Sequence, residues 1–241
     1  MKTLKDYEYF KTENGVLYCG DNMEVLPLIT DEIDLCLTSP PYNIGNNHHT
    51  GNKKTQAYDD DIEENIYQQI QFILLKNLYD KITKNGSVIY NHKNRIKNKE
   101  QITPYMWILQ TKWKVKQELV WFNGSQNFDK CRFYPMTERI YILNKGEDKF
   151  YNNINSHDLF KYEAEGTNKE HKRSFPERMA CDLIKCYEAN TIIDIYMGSG
   201  TTALACEKLN RRWIGIEISE KYCEIAKKRI EQYTNQLKLF K

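Results

Sequence analysis

The 241-residue sequence predicts an α/β fold in which a mostly parallel sheet carries helices on both of its faces. Short apolar runs of β type alternate with longer amphipathic segments, and this alternation is typical of parallel strands joined by helical crossovers. The chain is also long enough for one substantial core, and this length is common for an α/β protein of one domain. We therefore predict a single domain over residues 1–241.

Seven runs of apolar, β-branched and aromatic residues have the length and composition of strands. They cover residues 16–19, 33–37, 87–90, 119–122, 140–143, 191–195 and 213–218. Four segments between them repeat apolar residues at spacings of three and four, as one buried helix face requires. They cover residues 64–83, 176–189, 201–209 and 220–237.

Two stretches lack this order. Residues 43–61 are polar and contain glycines, and residues 144–174 are polar and weakly patterned. Long irregular segments are uncommon in compact domains unless they have a function. The first is therefore predicted to be a mobile loop that contacts a substrate, and the second to contribute to substrate contact.

Composition excludes several classes of protein. The longest apolar run is only a few residues, so we expect neither a signal peptide nor a membrane span, and a soluble, cytoplasmic protein. The seven cysteines are odd in number and contain no C-x-x-C pair, which favours free thiols over a disulfide frame or a zinc site. No metal is expected. The net charge of +2 does not by itself indicate a nucleic-acid binder.

A glycine turn near the C-terminus predicts a nucleoside-cofactor site. The strand 191–195 runs into Gly198, Ser199 and Gly200, a helix begins at Thr201 and Thr202, and the next strand ends at Glu217. Glycines let the backbone approach a ligand, a helix start offers unpaired N–H groups, and a strand-end acid can accept both ribose hydroxyls. No third glycine and no P-loop lysine is present, so S-adenosylmethionine suits the site better than a dinucleotide.

A second motif, T-S-P-P-Y at residues 38–42, ends the strand 33–37. Proline lacks an N–H and has a fixed φ, so two consecutive prolines cannot extend a central strand. They form a rigid elbow that carries a hydroxyl and an aromatic ring.

Together, T-S-P-P-Y, M-G-S-G-T-T and the later W-I-G-I-E-I-S and E-I-A-K-K-R-I segments resemble the amino-methylating DNA methyltransferases. Enzymes of this family transfer a methyl group from S-adenosylmethionine to the N6 amine of adenine or the N4 amine of cytosine. The P-P-Y motif precedes the glycine motif here, which is similar to the circularly permuted β class of that family. The resemblance implies a Rossmann-like methyltransferase fold with seven strands, one of them antiparallel, and with 191–195 at the centre.

The resemblance also implies the cofactor-binding residues. They are Asp21, Asp194, Tyr196, Met197, Gly198, Ser199, Gly200, Thr201, Thr202 and Glu217. Asp21 would hold the adenine amine of the cofactor, and the helix near Pro176 would lie beside its methionine part. One departure is Ile195, which stands where relatives commonly have proline.

The catalytic residues implied by the resemblance are Ser39, Pro40, Pro41 and Tyr42. An exocyclic amine is a poor nucleophile because its lone pair is delocalised into the ring. The Ser39 hydroxyl and the Pro40 carbonyl can accept its N–H groups without reorganisation. The ring of Tyr42 can stack on a flipped base, which offsets part of the cost of flipping. No cysteine nucleophile is needed, and the chain has no Pro-Cys pair of the kind that carbon-5 methylation uses.

Two sequence motifs indicate which base is methylated. S-P-P-Y and the segment beginning Phe175-Pro176 are similar to the cytosine-N4 enzymes, so cytosine N4 is favoured and adenine N6 stays open.

Residues 59–61 are all aspartate. They are either acceptors of the released proton or a solvated acidic start to the following helix.

Double-stranded DNA is the expected partner, and basic loops within 43–61 and 92–175 are expected to contact and recognise it. The candidate residues are Lys53, Lys54, Lys93, Arg95, Lys97, Lys130, Arg132 and Arg173. The resemblance also suggests a cognate restriction endonuclease acting on the same site and leaves a homodimer open. Two alternatives compete: a catalytically silent DNA-binding subunit, and methylation of RNA or protein glutamine, whose enzymes normally have the opposite motif order.

Overall fold

A central sheet with helices on both faces organises the chain. The computed structural model describes residues 2–44, 60–124, 132–162 and 175–239. The strands are β1 (Glu8–Lys11), β2 (Gly15–Cys19), β3 (Ile33–Thr38), β4 (Ile82–His92), β5 (Arg95–Lys97), β6 (Glu100–Ile102), β7 (Lys114–Phe122), β8 (Thr137–Asn144), β9 (Leu159–Lys161), β10 (Thr191–Asp194) and β11 (Arg212–Glu217). The helices are α1 (Asn22–Val25), α2 (Glu64–Lys81), α3 (Tyr105–Ile108), α4 (Glu177–Lys185), α5 (Thr201–Lys208) and α6 (Glu220–Leu239), with 3-10 turns at Leu4–Tyr7 and Leu26–Leu28.

In the described residues the main sheet has the strand order β1-β2-β11-β10-β3-β4-β8-β7-β9, and β5 and β6 form a separate hairpin. Within this order, β2, β11, β10, β3 and β4 are parallel to one another, and β8 runs antiparallel to its neighbours β4 and β7. The seven predicted strands are all present and contiguous, with β10 at the middle of the parallel part.

The predicted count of seven strands is wrong, because the sheet gains an edge strand on each side. β1 and β9 have four and three residues and are largely exposed. Such short edge strands bury too few side chains to show an alternating apolar pattern.

Two hydrophobic cores lie on opposite faces of the sheet. Along β3, the side chains of Leu35 and Leu37 belong to the core under α4, α5 and α6, whereas Cys36 belongs to the core under α2 and α3. This alternation follows from the two-residue period of a strand. Both faces of β3 are therefore apolar, and fully burying each leucine stabilises the fold by about 2 kcal/mol.

The parallel strands place the ends of β2, β11, β10 and β3 at one edge of the sheet. From β10 the chain returns through α5 to β11 on one side, while β3 leads through α2 to β4 on the other. A crevice forms where crossovers diverge in this way, and ligands of open α/β sheets bind there.

Parts of the predicted loops lie outside the described residues, namely 45–59 and 163–174. Within the described ranges, no helix combines the length and the apolar character that crossing a membrane requires.

Candidate active site

A cavity of about 380 Å³ opens at this edge of the sheet. Most of its lining residues come from the ends of four strands and from the segments that follow them. They are Gly20, Asp21, Asn22, Met23, Ser39, Pro40, Pro41, Tyr42, Asp60, Ile70, Phe175, Asp194, Ile195, Tyr196, Met197, Gly198, Ser199, Thr201, Ile216, Glu217, Ile218 and Tyr222. The structure thus brings the P-P-Y elbow and the glycine turn, which are about 160 residues apart in sequence, onto one shared space.

Both glycines of the turn are required by backbone conformation, and Gly200 is also required by packing. Gly198 and Gly200 have φ values of +52° and +82°, which disfavour residues with a side chain. A Cβ on Gly200 would lie 2.9 Å from the Cβ of Ala226 in α6, so Gly200 also permits close packing. A Cβ on Gly198 would meet nothing nearer than 3.8 Å, and this residue lines the cavity.

Asp194 ties the glycine turn to the elbow. Its buried carboxylate accepts hydrogen bonds from the hydroxyls of Thr38 (2.8 Å) and Thr202 (2.7 Å) and from the N–H of Tyr196 (3.0 Å). Burial raises the pKa of Asp194 to about 6, although these three hydrogen bonds oppose the shift. Thr202, predicted as a cofactor residue, is therefore placed as a support for Asp194, and it does not line the cavity.

Glu217 sits where β11 ends and closes the glycine turn. One carboxylate oxygen accepts the N–H of Gly198 and the other accepts the N–H of Ser219, each at 2.8 Å. Burial raises the pKa of Glu217. A carboxylate oxygen can accept more than one hydrogen bond, so both oxygens can still accept from a ligand in the cavity.

Asp21 follows β2 and caps the short helix α1, accepting the N–H of Met23 at 2.8 Å. The neighbouring Asn22 donates from its amide to the carbonyl of Ile195 at 3.0 Å. This bond holds the backbone at the position where relatives commonly have proline. Asn22 was not predicted as a site residue, because its only signal in the sequence is its place beside Asp21.

Two further side chains, Gln71 and Arg229, fix the glycine turn. The hydroxyl of Tyr196 accepts from the Gln71 amide at 3.0 Å, and burial raises the pKa of Tyr196 to about 12. From α6, the Arg229 guanidinium donates to the carbonyl (2.7 Å) and hydroxyl (2.9 Å) of Ser199 and to the Thr201 hydroxyl (3.3 Å). The contact of Arg229 with the glycine turn was not predicted, because a basic residue in an amphipathic helix carries no signal of a buried partner.

The elbow is held by polar contacts on both of its sides. The hydroxyls of Ser39 and Tyr42 lie 2.9 Å apart, and Tyr42 donates to a carboxylate oxygen of Glu138 at 2.7 Å. The Pro41 carbonyl accepts from the hydroxyl of Tyr67 at 2.7 Å. Tyr42 is only 7% exposed and packs against the His92 ring, with 4.9 Å between centroids.

The acidic run 59–61, at the end of the predicted loop, is partly in the site. Asp60 is 2% exposed, lines the cavity and accepts the N–H of Asn43 at 2.6 Å. This burial is inconsistent with a solvated acid at the start of α2, one of the two interpretations of the run. Asp61 is exposed, and Asp59 lies outside the described residues.

The predicted DNA-contacting residues fall into three groups. Lys53, Lys54, Lys130 and Arg173 lie outside the described residues. Lys93, Lys97 and Arg132 are partly exposed; Lys93 pairs with Glu138 at 3.1 Å, Lys97 lies 3.8 Å from Glu64, and Arg132 donates to the Asn94 carbonyl at 3.1 Å. Arg95 contradicts the expectation.

Arg95 is 4% exposed and forms a two-point pair with Glu64, both distances being 2.8 Å. Its guanidinium also lies 4.9 Å from the centroid of the Tyr67 ring. A guanidinium that is buried and paired in this way is not available to a phosphate. The pattern of basic residues could not distinguish it from its exposed neighbours.

Within the described ranges, no group of three or more His, Cys, Asp or Glu side chains could hold a metal ion. Of the seven cysteines, the six that the structure describes are free thiols.

The strand order, the acid at the end of β11 and the glycine turn before α5 together define the class of Rossmann-like methyltransferases. A family model described as DNA methylase, covering the N6 and N4 enzymes, matches residues 33–228. The chain belongs to this family and is a DNA amino-methyltransferase of the N4 or N6 class.

Similar proteins agree with this assignment. The chain is 26% identical to the orphan methyltransferase M.BamHII of Bacillus amyloliquefaciens, over 83% of this chain and 89% of that protein. Its fold is similar to that of the cytosine-N4-specific PvuII DNA methyltransferase, with a TM-score of 0.75, 20% identity and coverage of 91% of this chain and 87% of that one. It is also similar to M1.HpyAVI in its SAM complex, with a TM-score of 0.62, 18% identity and coverage of 89% and 99%. At these identities the two solved structures show the fold alone.

Proposed function

We propose that this protein transfers a methyl group from S-adenosylmethionine to the N4 amine of cytosine in duplex DNA, after flipping the base out of the helix. One observation carries the proposal: the glycine turn with Glu217 and the S-P-P-Y elbow line the same cavity. A methyl donor on the first and an amine on the second would face each other without rearrangement of the sheet.

The cofactor side of the cavity fits a nucleoside that has a positively charged centre and no pyrophosphate. Glu217 has two acceptor oxygens for the ribose hydroxyls, and the carboxylate of Asp21 lies at the neighbouring strand end for the adenine amine. The helix α4 follows Phe175, which lines the cavity and would adjoin the methionine part. The similar M1.HpyAVI was solved as a SAM complex, which supports the same cofactor here.

The base side of the cavity fits a planar ring with an exocyclic amine. Ser39 and Pro40 supply acceptors, and the two prolines fix the direction of the carbonyl. Tyr42 would contact the ring of the flipped base, and such aromatic contacts contribute about 1–3 kcal/mol. No cysteine is among the residues that line the described cavity, which supports direct attack by the amine on the methyl carbon.

The amino-acid sequence of the elbow favours cytosine over adenine as the methylated base. Ser39 is neutral, as in the cytosine-N4 enzymes that the motif resembles, and the similar PvuII enzyme is named cytosine-N4-specific. Methylation of adenine N6 by the same site is the second candidate.

The remaining expectations concern partners. Duplex DNA would meet the partly exposed Lys97 and Arg132, and the basic loops within residues 43–61 and 92–175 stay the predicted contact regions. A cognate restriction endonuclease and a homodimer remain predictions; the similar M.BamHII is itself described as an orphan methyltransferase.

The test is nucleoside analysis of DNA incubated with the protein and S-adenosylmethionine bearing a deuterated methyl group. We expect deuterated N4-methylcytosine by mass spectrometry. Deuterated N6-methyladenine would replace the cytosine assignment with the adenine one. Cofactor binding without label in any tested DNA would support the silent subunit instead.

A further inference from the structure

We propose that Glu138 is a positioning residue that acts through the Tyr42 hydroxyl to keep Ser39 a hydrogen-bond acceptor toward the amine being methylated. The inference rests on the proposed function and adds a residue, on β8, that neither sequence motif contains. The direction in which each hydroxyl proton must point supports this role.

The carboxylate of Glu138 lies among donors. It is 7% exposed, and one of its oxygens accepts from the Tyr42 hydroxyl at 2.7 Å and from the Asn91 amide at 2.9 Å. The other oxygen accepts from the Asn123 amide at 3.1 Å and lies 3.1 Å from the Lys93 ammonium. A buried carboxylate is costly unless it is paired and hydrogen-bonded, and these four groups meet that need.

This arrangement determines the direction of the two hydroxyl groups. A carboxylate has no proton to donate, so the single proton of Tyr42 points to Glu138. The Tyr42 oxygen then accepts, from the Asn91 amide at 2.7 Å and from Ser39 at 2.9 Å. The proton of Ser39 therefore points to Tyr42 and away from the cavity.

The consequence concerns the reacting amine. Ser39 lines the cavity, and with its proton directed to Tyr42 its oxygen presents lone pairs there. Those lone pairs can accept an N–H of the amine, although the Asn91 amide at 3.2 Å also approaches the same oxygen. A hydroxyl free to rotate would present its proton to the N–H for part of the time and repel it. Fixing the hydroxyl in advance removes that cost from the transfer step.

Substitution of Glu138 by glutamine should reverse the chain of hydrogen bonds. The glutamine oxygen would stay with the Lys93 ammonium and the Asn123 amide, because a charged donor holds it most strongly. The new NH₂ group would then face both Tyr42 and the Asn91 amide and could accept from neither, so Tyr42 would donate its own proton to Ser39. Ser39 would present its proton to the cavity and lose its role as acceptor.

A double-mutant cycle tests this path. The single-turnover rate of methyl transfer is measured at saturating S-adenosylmethionine for the wild type, Glu138→Gln, Tyr42→Phe and the double variant. We expect each single variant to lower the rate about tenfold or more, and the double variant to be no slower than the slower single variant, because both changes interrupt one chain. The dissociation constant for the cofactor should stay within about twofold.

A matched tyrosine–glutamate pair between α3 and the neighbouring strand β7 provides the control. Tyr105 donates to Glu118 of β7 at 2.8 Å, a contact of the same type between residues that do not line the cavity. Tyr105→Phe and Glu118→Gln should leave the transfer rate within about twofold. Thermal unfolding of every variant, measured alongside, separates loss of fold from loss of rate.

Four outcomes overturn the inference. Rate losses that multiply in the double variant would show that Glu138 does not act through Tyr42, and an unchanged rate in Glu138→Gln would show that it does not act at all. If Glu138→Gln does not fold, the cycle between Tyr42→Phe and Ser39→Ala tests the same chain, and multiplying losses contradict it there. A wild-type protein that methylates no DNA would instead overturn the proposed function, and this inference with it.

Discussion

At the scale of single residues, the acids at the strand ends make their contacts within the protein first. Asp194 uses its oxygens on Thr38, Thr202 and the backbone of Tyr196, and Glu217 accepts two backbone N–H groups. Both acids therefore shape the glycine turn before any ligand binds. Such preorganisation lowers the cost of ordering the site when the ligand arrives.

The buried Asp194 leads to a prediction about pH and stability. Its pKa of about 6 in the folded protein lies above the ordinary 3.8 because burial disfavours the charge. The protonated form is thus favoured by folding, and the stability that it contributes is present below about pH 4 and is lost as pH rises through about 6. Urea unfolding of the unliganded wild type and Asp194→Asn, between pH 4 and 7.5, measures this contribution.

We expect the free energy of unfolding of the wild type, relative to Asp194→Asn, to be greater at pH 4 than at pH 7.5 by about 2 kcal/mol. The asparagine variant retains every other titrating group and so serves as the control for them. A difference that does not change with pH would contradict the assignment of a raised pKa to Asp194.

Residue patterns revealed one part of the site and not the other. Ser39, Tyr42, Gly198 and Glu217 were predictable because each stands in a short motif at the end of an apolar run. Glu138 was not, since it lies 96 residues from Tyr42 in sequence and meets it only through the pairing of β4 with β8.

At the scale of elements, a buried ion pair connects the residues on the two sides of the segment 45–59. Arg95, in β5, pairs with Glu64 at the start of α2, and it also donates to the Asn43 carbonyl at 3.2 Å. Asn43 in turn contacts the backbone of Ile62 through both its amide nitrogen (2.9 Å) and its amide oxygen (2.8 Å). The elbow and the start of α2 are therefore held together next to the cavity.

The ion pair gives a prediction that distinguishes a structural role of Arg95 from a role in DNA contact. Arg95→Ala should lower the free energy of unfolding by about 3 kcal/mol, because it leaves Glu64 without its main partner. It should leave the salt dependence of DNA binding unchanged. Urea unfolding and binding titrations at several salt concentrations measure the two effects.

The matched variant is Lys97→Ala, which removes a partly exposed cation two residues away. We expect it to reduce the slope of log K against log salt by about 1 with little effect on stability. A reduced slope in Arg95→Ala with unchanged stability would restore Arg95 as a phosphate contact.

The elements themselves were predictable to different degrees. The seven inner strands and the helices α2, α4, α5 and α6 have clear periodicity because each buries an apolar face. The edge strands β1 and β9 have three or four residues and depend on backbone pairing with β2 and β7, which no side-chain pattern records.

At the scale of the whole molecule, the strand order explains how two motifs that are remote in the chain meet in one site. The elbow follows β3 and the glycine turn follows β10, and these strands are neighbours in the sheet although they are remote in the chain. Parallel pairing then places both motifs at the same edge. The family resemblance implied that the strand 191–195 lies at the centre, and the position of β10 in the sheet confirms it.

The most direct measurement of the central claim compares cofactor binding and methyl transfer in Tyr42→Ala and Glu217→Ala. We expect Glu217→Ala to weaken S-adenosylmethionine binding by about tenfold or more, since hydrogen bonds to a charged group contribute about 1.5–3 kcal/mol. Tyr42→Ala should bind the cofactor within about twofold of the wild type and lose transfer to DNA. Equal loss of cofactor binding in both folded variants would contradict a cavity with one side for the cofactor and the other for the base.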